Sequence, residues 1–170
     1  GLEPNNLAAV RSLKIYRALR FGRHVDLLIT DNHSFRAQPP DMEAFTPAEF
    51  RWVNPQEVVE ILDSGRAHGG GSPPDTIRYA GRDVPNPRKN APPQSMLGRE
   101  QKAWFLDQLR SSKATWKIWG HSFGTLEWRS DYQNLPAGVG PRWPGRGYAM
   151  FNGAFFVERA EILDLVRQRG

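Results

Sequence analysis

Apolar and polar positions along the chain fall into two kinds of pattern. In Leu13-Lys14-Ile15-Tyr16-Arg17-Ala18-Leu19-Arg20-Phe21 they alternate, and Leu13, Ile15, Leu19 and Phe21 share one parity. That period predicts a half-buried strand. The alternation breaks at Gly22-Arg23-His24, and Val25-Asp26-Leu27-Leu28-Ile29-Thr30 follows as an aliphatic and β-branched run. Such a run predicts a strand buried on both faces, paired with the first as a hairpin. Thr115-Trp116-Lys117-Ile118-Trp119 has the same strand composition. Helical stripes appear elsewhere. Val58, Val59, Ile61 and Leu62 give an apolar face to Gln56–Ser64, which Gly65 closes. From Gly98 onward, Phe105, Leu106 and Leu109, with Trp104 alongside, form a second stripe that is core by default. Glu158 to Gly170 reads as a last helix. Its expected buried side is Val157, Ala160, Ile162, Leu163 and Val166, and Arg167 and Arg169 suit its carboxyl end. Thr46-Pro47 and Asn54-Pro55 each read as an N-cap followed by proline at the first helical position. A helix leading by a short link into the Thr115 strand predicts a covered sheet, mixed or parallel, and hence an α/β fold.

Two stretches lack either period. Arg66 to Ser95 carries Gly69-Gly70-Gly71, Pro73-Pro74, Pro85, Pro87 and Pro92-Pro93, and reads as a long loop. The glycine run is no phosphate loop, because no Gly-Lys-Ser/Thr follows it. Trp128 to Gly147 reads as a second long loop that mixes Trp128, Tyr132 and Trp143 with Arg129, Arg142 and Arg146. It fits a clamp on an anionic substrate through cation–π and forked contacts, and equally a packed surface loop. Gly1 to Asn6 reads as loop, and the last helix ends just past its final turn. The chain is therefore expected to be an internal piece of a longer protein.

Composition narrows the classes. With 39% hydrophobic and 24% charged residues over 170 positions, the chain is globular and long enough for a core. Its net charge of +5 favours anionic partners, phosphate esters among them. Lys and Arg are dispersed rather than blocked, which argues against nucleic acid. No apolar run approaches the roughly 20 residues of a membrane span. No signal peptide is visible at the start. Without cysteine there are no disulfides, and thiols say nothing of compartment.

Candidate chemistry gathers where the strands stop. After Thr30 come Asp31, Asn32, His33, Ser34, Phe35 and Arg36, and after Trp119 come Gly120, His121 and Ser122. Ligands of α/β sheets sit beyond the carboxyl ends of strands. Gly120 permits a tight exit or a close backbone approach. His121 fits a metal ligand or proton shuttle, and also an ordinary satisfied histidine. Two strand ends carrying such groups point to a shared site.

Several motifs, in order, resemble the alkaline phosphatase D family of metallophosphatases. Tyr16-Arg17-Ala18-Leu19-Arg20-Phe21-Gly22 is similar to its Tyr-Arg-x-x-x-Phe-Gly hairpin. Leu28-Ile29-Thr30-Asp31-Asn32-His33-Ser34-Phe35-Arg36 is similar to its Leu-Asp-Thr-Arg-x-Tyr-Arg strand end. Met96-Leu97-Gly98-Arg99-Glu100-Gln101-Lys102-Ala103-Trp104 resembles its Met-Leu-Gly-x-x-Gln-x-x-Trp helix start. Ser112-Lys113-Ala114-Thr115-Trp116-Lys117 resembles its Ser-x-Ala-x-Trp-Lys link, and Phe151-Asn152-Gly153 through Glu158-Arg159 is a weaker echo of Trp-Asp-Gly-Tyr-x-x-Glu-Arg. His33 stands where the family has Arg, and Asn152 where it has Asp.

The resemblance implies a layered metallophosphatase-like sheet with helices on its faces, of which residues 1–170 form a partial catalytic domain. It implies hydrolysis of phosphate mono- and diesters by a metal-activated water, with calcium and iron as cofactors. The family's Asp-rich strand, Trp-Asp-Asp-His and Gly-Asp-x-His segments have no counterpart here, so most metal ligands are expected elsewhere and this segment alone is expected to be inactive. The residues expected at the site are Asp31, to orient a ligand or water; His33 and Arg36, near the phosphate; and His121 and Ser122, on the opposite wall. The expected partner is a small phosphate ester, and the expected location periplasmic or extracellular. A degenerate non-catalytic relative, or a basic module binding anions or nucleic acid, are the alternative readings. Oligomeric state is not legible.

Overall fold

The computed structural model describes residues 3–38, 40, 43–45, 54–122, 129–130, 148–149 and 155–169. In chain order they form α1 (Pro4–Ser12), β1 (Arg17–Phe21), β2 (Val25–Ile29), β3 (Asn54–Pro55), α2 (Gln56–Ser64), the single turn α3 (His68–Gly71), β4 (Thr76–Tyr79), β5 (Arg82–Pro85), α4 (Gly98–Ser111), β6 (Trp116–Gly120), β7 (Arg129–Ser130), β8 (Tyr148–Ala149) and α5 (Phe156–Arg169). This is the α/β mixture that the sequence predicts. The chain divides into two units, Gly1–Phe35 with Leu97–Ser122, and Arg36–Met96 with Phe123–Gly170.

The first unit is built on a three-stranded sheet in the order β1-β2-β6. β1 and β2 form the expected hairpin, and β2 runs parallel to β6 with Ile29 opposite Gly120. In β2, Asp26 and Leu28 are buried, as is Thr30 just past its end, while Val25, Leu27 and Ile29 are half-buried. The strand is thus not buried on both faces. On the buried side α4 inserts Gln101, Phe105, Leu106 and Leu109, and the Phe105 ring lies 4.7 Å from that of Trp119. Asp26 meets the Arg20 guanidinium across the hairpin and accepts the Ser112 hydroxyl at 2.5 Å. These bonds, Arg20 first, hold its carboxyl below the ordinary carboxylate range.

The other face corrects a second expectation. Register aligns Phe21, Val25 and Trp116 in one row, and Leu19, Leu27 and Ile118 in the next. Leu19, Phe21, Trp116 and Ile118 are 38%, 58%, 67% and 50% exposed. The alternating parity of β1 is real, but its apolar side faces outward. Leu13 and Ile15 precede the strand and are exposed as well. The amino-terminal segment also differs from expectation: from Pro4 it is helix rather than loop. Proline is tolerated in a first helical turn, and Leu7-Ala8-Ala9 are good helix formers.

Gly98 shows why the helix start has its sequence. Its φ is +69°, and a Cβ there would lie 3.1 Å from both Cβ and O of Phe35. Only glycine meets both demands. At Gly120 a Cβ would approach Ile29 Cγ1 to 3.3 Å, the close approach expected of that position.

The second unit has its own core: Phe45, Val58, Val59, Leu62, Ile77 and Tyr79, with Ile61, Val84 and Phe156 packed against it. The α2 stripe is as predicted, and the helix closes at Gly65, whose N–H bonds to Ile61 O. The stretch read as loop from Arg66 to Ser95 contains the antiparallel hairpin β4–β5. Ile77 and Tyr79 alternate into the core, so the hairpin is a packed element. Asn54 does not cap α2: Asn54–Pro55 pairs with β8, and the Asn54 amide donates to Phe45 O at 3.2 Å. In α5 the buried positions are Glu158, Ile162 and Leu165, whereas Ala160, Leu163 and Val166 are exposed. The buried side of this helix is rotated from the predicted one because Glu158 turns inward. Its carboxylate accepts the Ser95 hydroxyl and, at 2.7 Å, the Met96 amide. Thr46-Pro47, Asn152 and, apart from Arg129–Ser130, the Trp128–Gly147 stretch lie outside the described residues.

Candidate active site

Parallel pairing places two strand ends side by side. Thr30 N–H donates to Gly120 O at 3.1 Å, so the residues after Ile29 and those after Gly120 leave the sheet together. Along an extended strand, side chains two apart share a side. Thr30 and Asn32 therefore meet Trp119 and His121. Trp119 Nε1–H donates to Thr30 Oγ1 at 2.9 Å, and Thr30 O–H donates to Asn32 Oδ1 at 3.0 Å. The Asn32 amide donates in turn to His121 Nδ1 and, at 3.1 Å, to Ser122 Oγ. The His121 ring stacks on the Trp119 indole at 4.2 Å with 17° between planes. Burial holds the His121 pKa below its ordinary value, so the ring is neutral near pH 7.

Asp31 is also buried, but its carboxylate serves its own turn. Oδ1 accepts the His33 and Ser34 amides at 3.0 Å each. Burial pushes the carboxyl upward, yet the Ser34 hydroxyl and these amides together outweigh it, and the group stays ionised well into acid. The backbone of Asp31 is gripped by α4. Gln101 Oε1 accepts its N–H at 2.7 Å, and Gln101 Nε2 donates to its C=O at 2.8 Å.

Of the residues predicted from sequence, His121 and Ser122 come together in one hydrogen-bonded group. Asp31 holds the loop beside them. The His33 side chain is exposed next to Asp31, and Arg36 belongs to the second unit. Sequence reasoning gives Asn32 only as one amide in the polar run after Thr30, and it misses Thr30, Trp119 and Gln101 altogether. Thr30 and Trp119 read as ordinary strand residues, and only the parallel pairing of β2 with β6 makes them polar partners. Gln101 carried no signal beyond that of a polar residue on an apolar helix face.

Among the described residues no group of three or more His, Cys, Asp or Glu is arranged to hold a metal ion. Asp31 Oδ1 is taken by amides and His121 Nδ1 by Asn32. The described side chains of this site therefore do not by themselves make up the ligand set that the iron and calcium pair implied by the resemblance would need.

Strand ends of a partly parallel sheet, delivering a neutral imidazole and a hydroxyl, define an α/β protein with a polar site at the carboxyl edge. The chain matches the family model of the PhoD-like phosphatases over residues 3–168, and it belongs to that family. The family implies a metallophosphatase-like fold and supports a phosphoesterase-type function. No curated protein and no solved structure matches the chain. No helix among the described residues is long and apolar enough to cross a membrane.

The residues that carry the family resemblance do structural work here. Tyr16 of the hairpin motif packs on Phe35 of the strand end at 5.6 Å and on Trp104 of the helix motif at 4.8 Å. Ser112, of the link motif, is the residue that bonds Asp26.

Proposed function

We propose that this chain contributes to the hydrolysis of small phosphate mono- or diesters by a metal-dependent phosphoesterase that acts outside the cytoplasm. The single observation that carries the reading is the paired strand end. His121, neutral and stacked on Trp119, and Ser122 stand together behind one buried amide, Asn32. Neutral donors fixed in place before the reaction stabilise charge that builds on a phosphoryl oxygen. Asp31 is a positioning residue in this reading, because its carboxylate shapes the turn that follows Asn32. Iron and calcium belong to the reading through family resemblance, with ligands outside the described residues, so the part of the described residues is hydrogen bonding.

The test is hydrolysis of p-nitrophenyl phosphate and bis(p-nitrophenyl) phosphate by the natural protein that carries this sequence, with calcium and ferric iron supplied or chelated. Expected is turnover that chelation abolishes and that His121→Ala lowers by about a hundredfold, the scale of losing one preorganised donor. A folded, metal-loaded protein without turnover would favour the non-catalytic relative instead.

A further inference from the structure

The hydrogen bonds behind His121 have a direction, and that direction can be traced from one end. An indole N–H can only donate. Trp119 Nε1–H therefore makes Thr30 Oγ1 an acceptor, and the Thr30 proton must find a partner of its own. Asn32 Oδ1 lies at 3.0 Å, whereas the other acceptor within reach, Gly120 O, lies at 3.5 Å. The shorter contact puts the Asn32 oxygen toward Thr30 and its nitrogen toward His121 and Ser122. Reversing the amide would leave Thr30 O–H with only the long contact to Gly120. With the Asn32 nitrogen as donor, His121 Nδ1 must accept. The single proton of a neutral imidazole then resides on Nε2. Ser122 Oγ also accepts from Asn32, which turns its own proton away from the amide.

We propose that the Trp119–Thr30–Asn32 relay fixes His121 as its Nε2–H tautomer, so that His121 and Ser122 present hydrogen-bond donors to an anionic phosphoryl oxygen rather than lone pairs to a metal ion or a proton. The inference rests on the phosphoesterase reading for its ligand but not for its geometry. Trp119, Thr30 and Asn32 are positioning residues, and His121 is the group that touches the ligand. The stacking of His121 on Trp119 fixes the plane in which Nε2–H lies. The same indole thus sets both the ring's orientation and its proton.

The direct test is nitrogen-15 NMR of the histidine rings in the labelled chain at pH 7.5, with the His121 signals identified by their loss in His121→Gln. Expected is a protonated Nε2 and a bare Nδ1. A protonated Nδ1 would overturn the inference without recourse to any variant. Asn32→Asp, which replaces the donor by an acceptor, should move the proton to Nδ1. Trp119→Phe, which keeps the stack and removes the indole N–H, should give a mixture. Variants that keep the wild-type pattern while circular dichroism shows them folded would remove the relay. In the natural protein, His121→Gln retains an N–H and should keep at least about ten times the activity of His121→Ala. Equal loss in the two would overturn the donor role. An inactive protein with the Nε2–H pattern would remove the proposed function and leave the tautomer standing. An active one with Nδ1–H would do the reverse.

Discussion

Asp63 sits fully buried near the end of α2. Its Oδ2 accepts the Phe156 amide at 2.8 Å at the start of α5, and its Oδ1 has no partner among the described residues. Burial raises its pKa to about 6, against the lowering pull of the α5 amides and of Arg88. A carboxyl whose pKa rises on folding contributes stability fully present below its unfolded value. That stability is lost as pH climbs through the folded one. The gap between 3.8 and about 6 corresponds to roughly 3 kcal/mol. Asp63→Asn keeps an oxygen for the α5 amides and removes the charge. It should melt higher than the parent at pH 8 and at nearly the same temperature below pH 4. A constant difference across that range would show that ionisation is not the cause. His121 acts in the opposite sense. Its pKa is depressed by burial, so its contribution is present above the ordinary histidine range and lost as pH falls through the folded value. Neither effect is visible in sequence. Asp63 reads there as one polar position on a helix, and only tertiary packing tells a buried acid from a solvated one.

At the scale of elements, α4 is the part that secures the site. Gln101 satisfies both backbone groups of Asp31, so Gln101→Leu would bury an N–H and a C=O without partners. The expected loss is about 3 kcal/mol, read as a lower urea midpoint with unchanged slope. A change under about 0.5 kcal/mol would mean that water replaces the side chain. Gly98→Ala meets left-handed backbone and Phe35 together, and should lose about 2 kcal/mol in the same measurement. Sequence patterning was sufficient for α2 and α4, because each has a dense apolar stripe against one core. It failed for α5, where Glu158 takes a buried position through the Ser95 and Met96 bonds and the stripe rotates with it. It failed for the β4–β5 hairpin for another reason. Thr76-Ile77-Arg78-Tyr79 does alternate, but the surrounding prolines and glycines mark the whole stretch as broken. Pro85, at the end of β5, is compatible with an edge strand. The strand ends stood out as a candidate site because acid, imidazole and hydroxyl follow apolar runs. The relay behind them did not, since Thr30 and Trp119 look like strand residues and become polar partners only through parallel register.

At the scale of the molecule, two facts of different origin act together. The chain carries a net charge of +5 with cations dispersed along it, while one sheet face of the first unit exposes Leu19, Phe21, Trp116 and Ile118 in adjoining rows. Charge keeps copies apart over about 10 Å at 0.1 M salt and over shorter distances as salt rises. Apolar attraction is not screened, and sulfate strengthens it. The colloidal behaviour of this chain should therefore run against intuition for a basic protein. Dilute buffer should keep it dispersed, and ammonium sulfate at moderate strength should raise its light scattering well before general salting-out. Trp116→Lys with Ile118→Lys should abolish that rise. If added salt disperses the chain instead, its association is electrostatic and the bare face plays no part. For anyone preparing the protein, ionic strength is then the handle: the high-salt wash chosen to strip anionic contaminants from a cationic surface is the step at which this sheet would be expected to come out of solution.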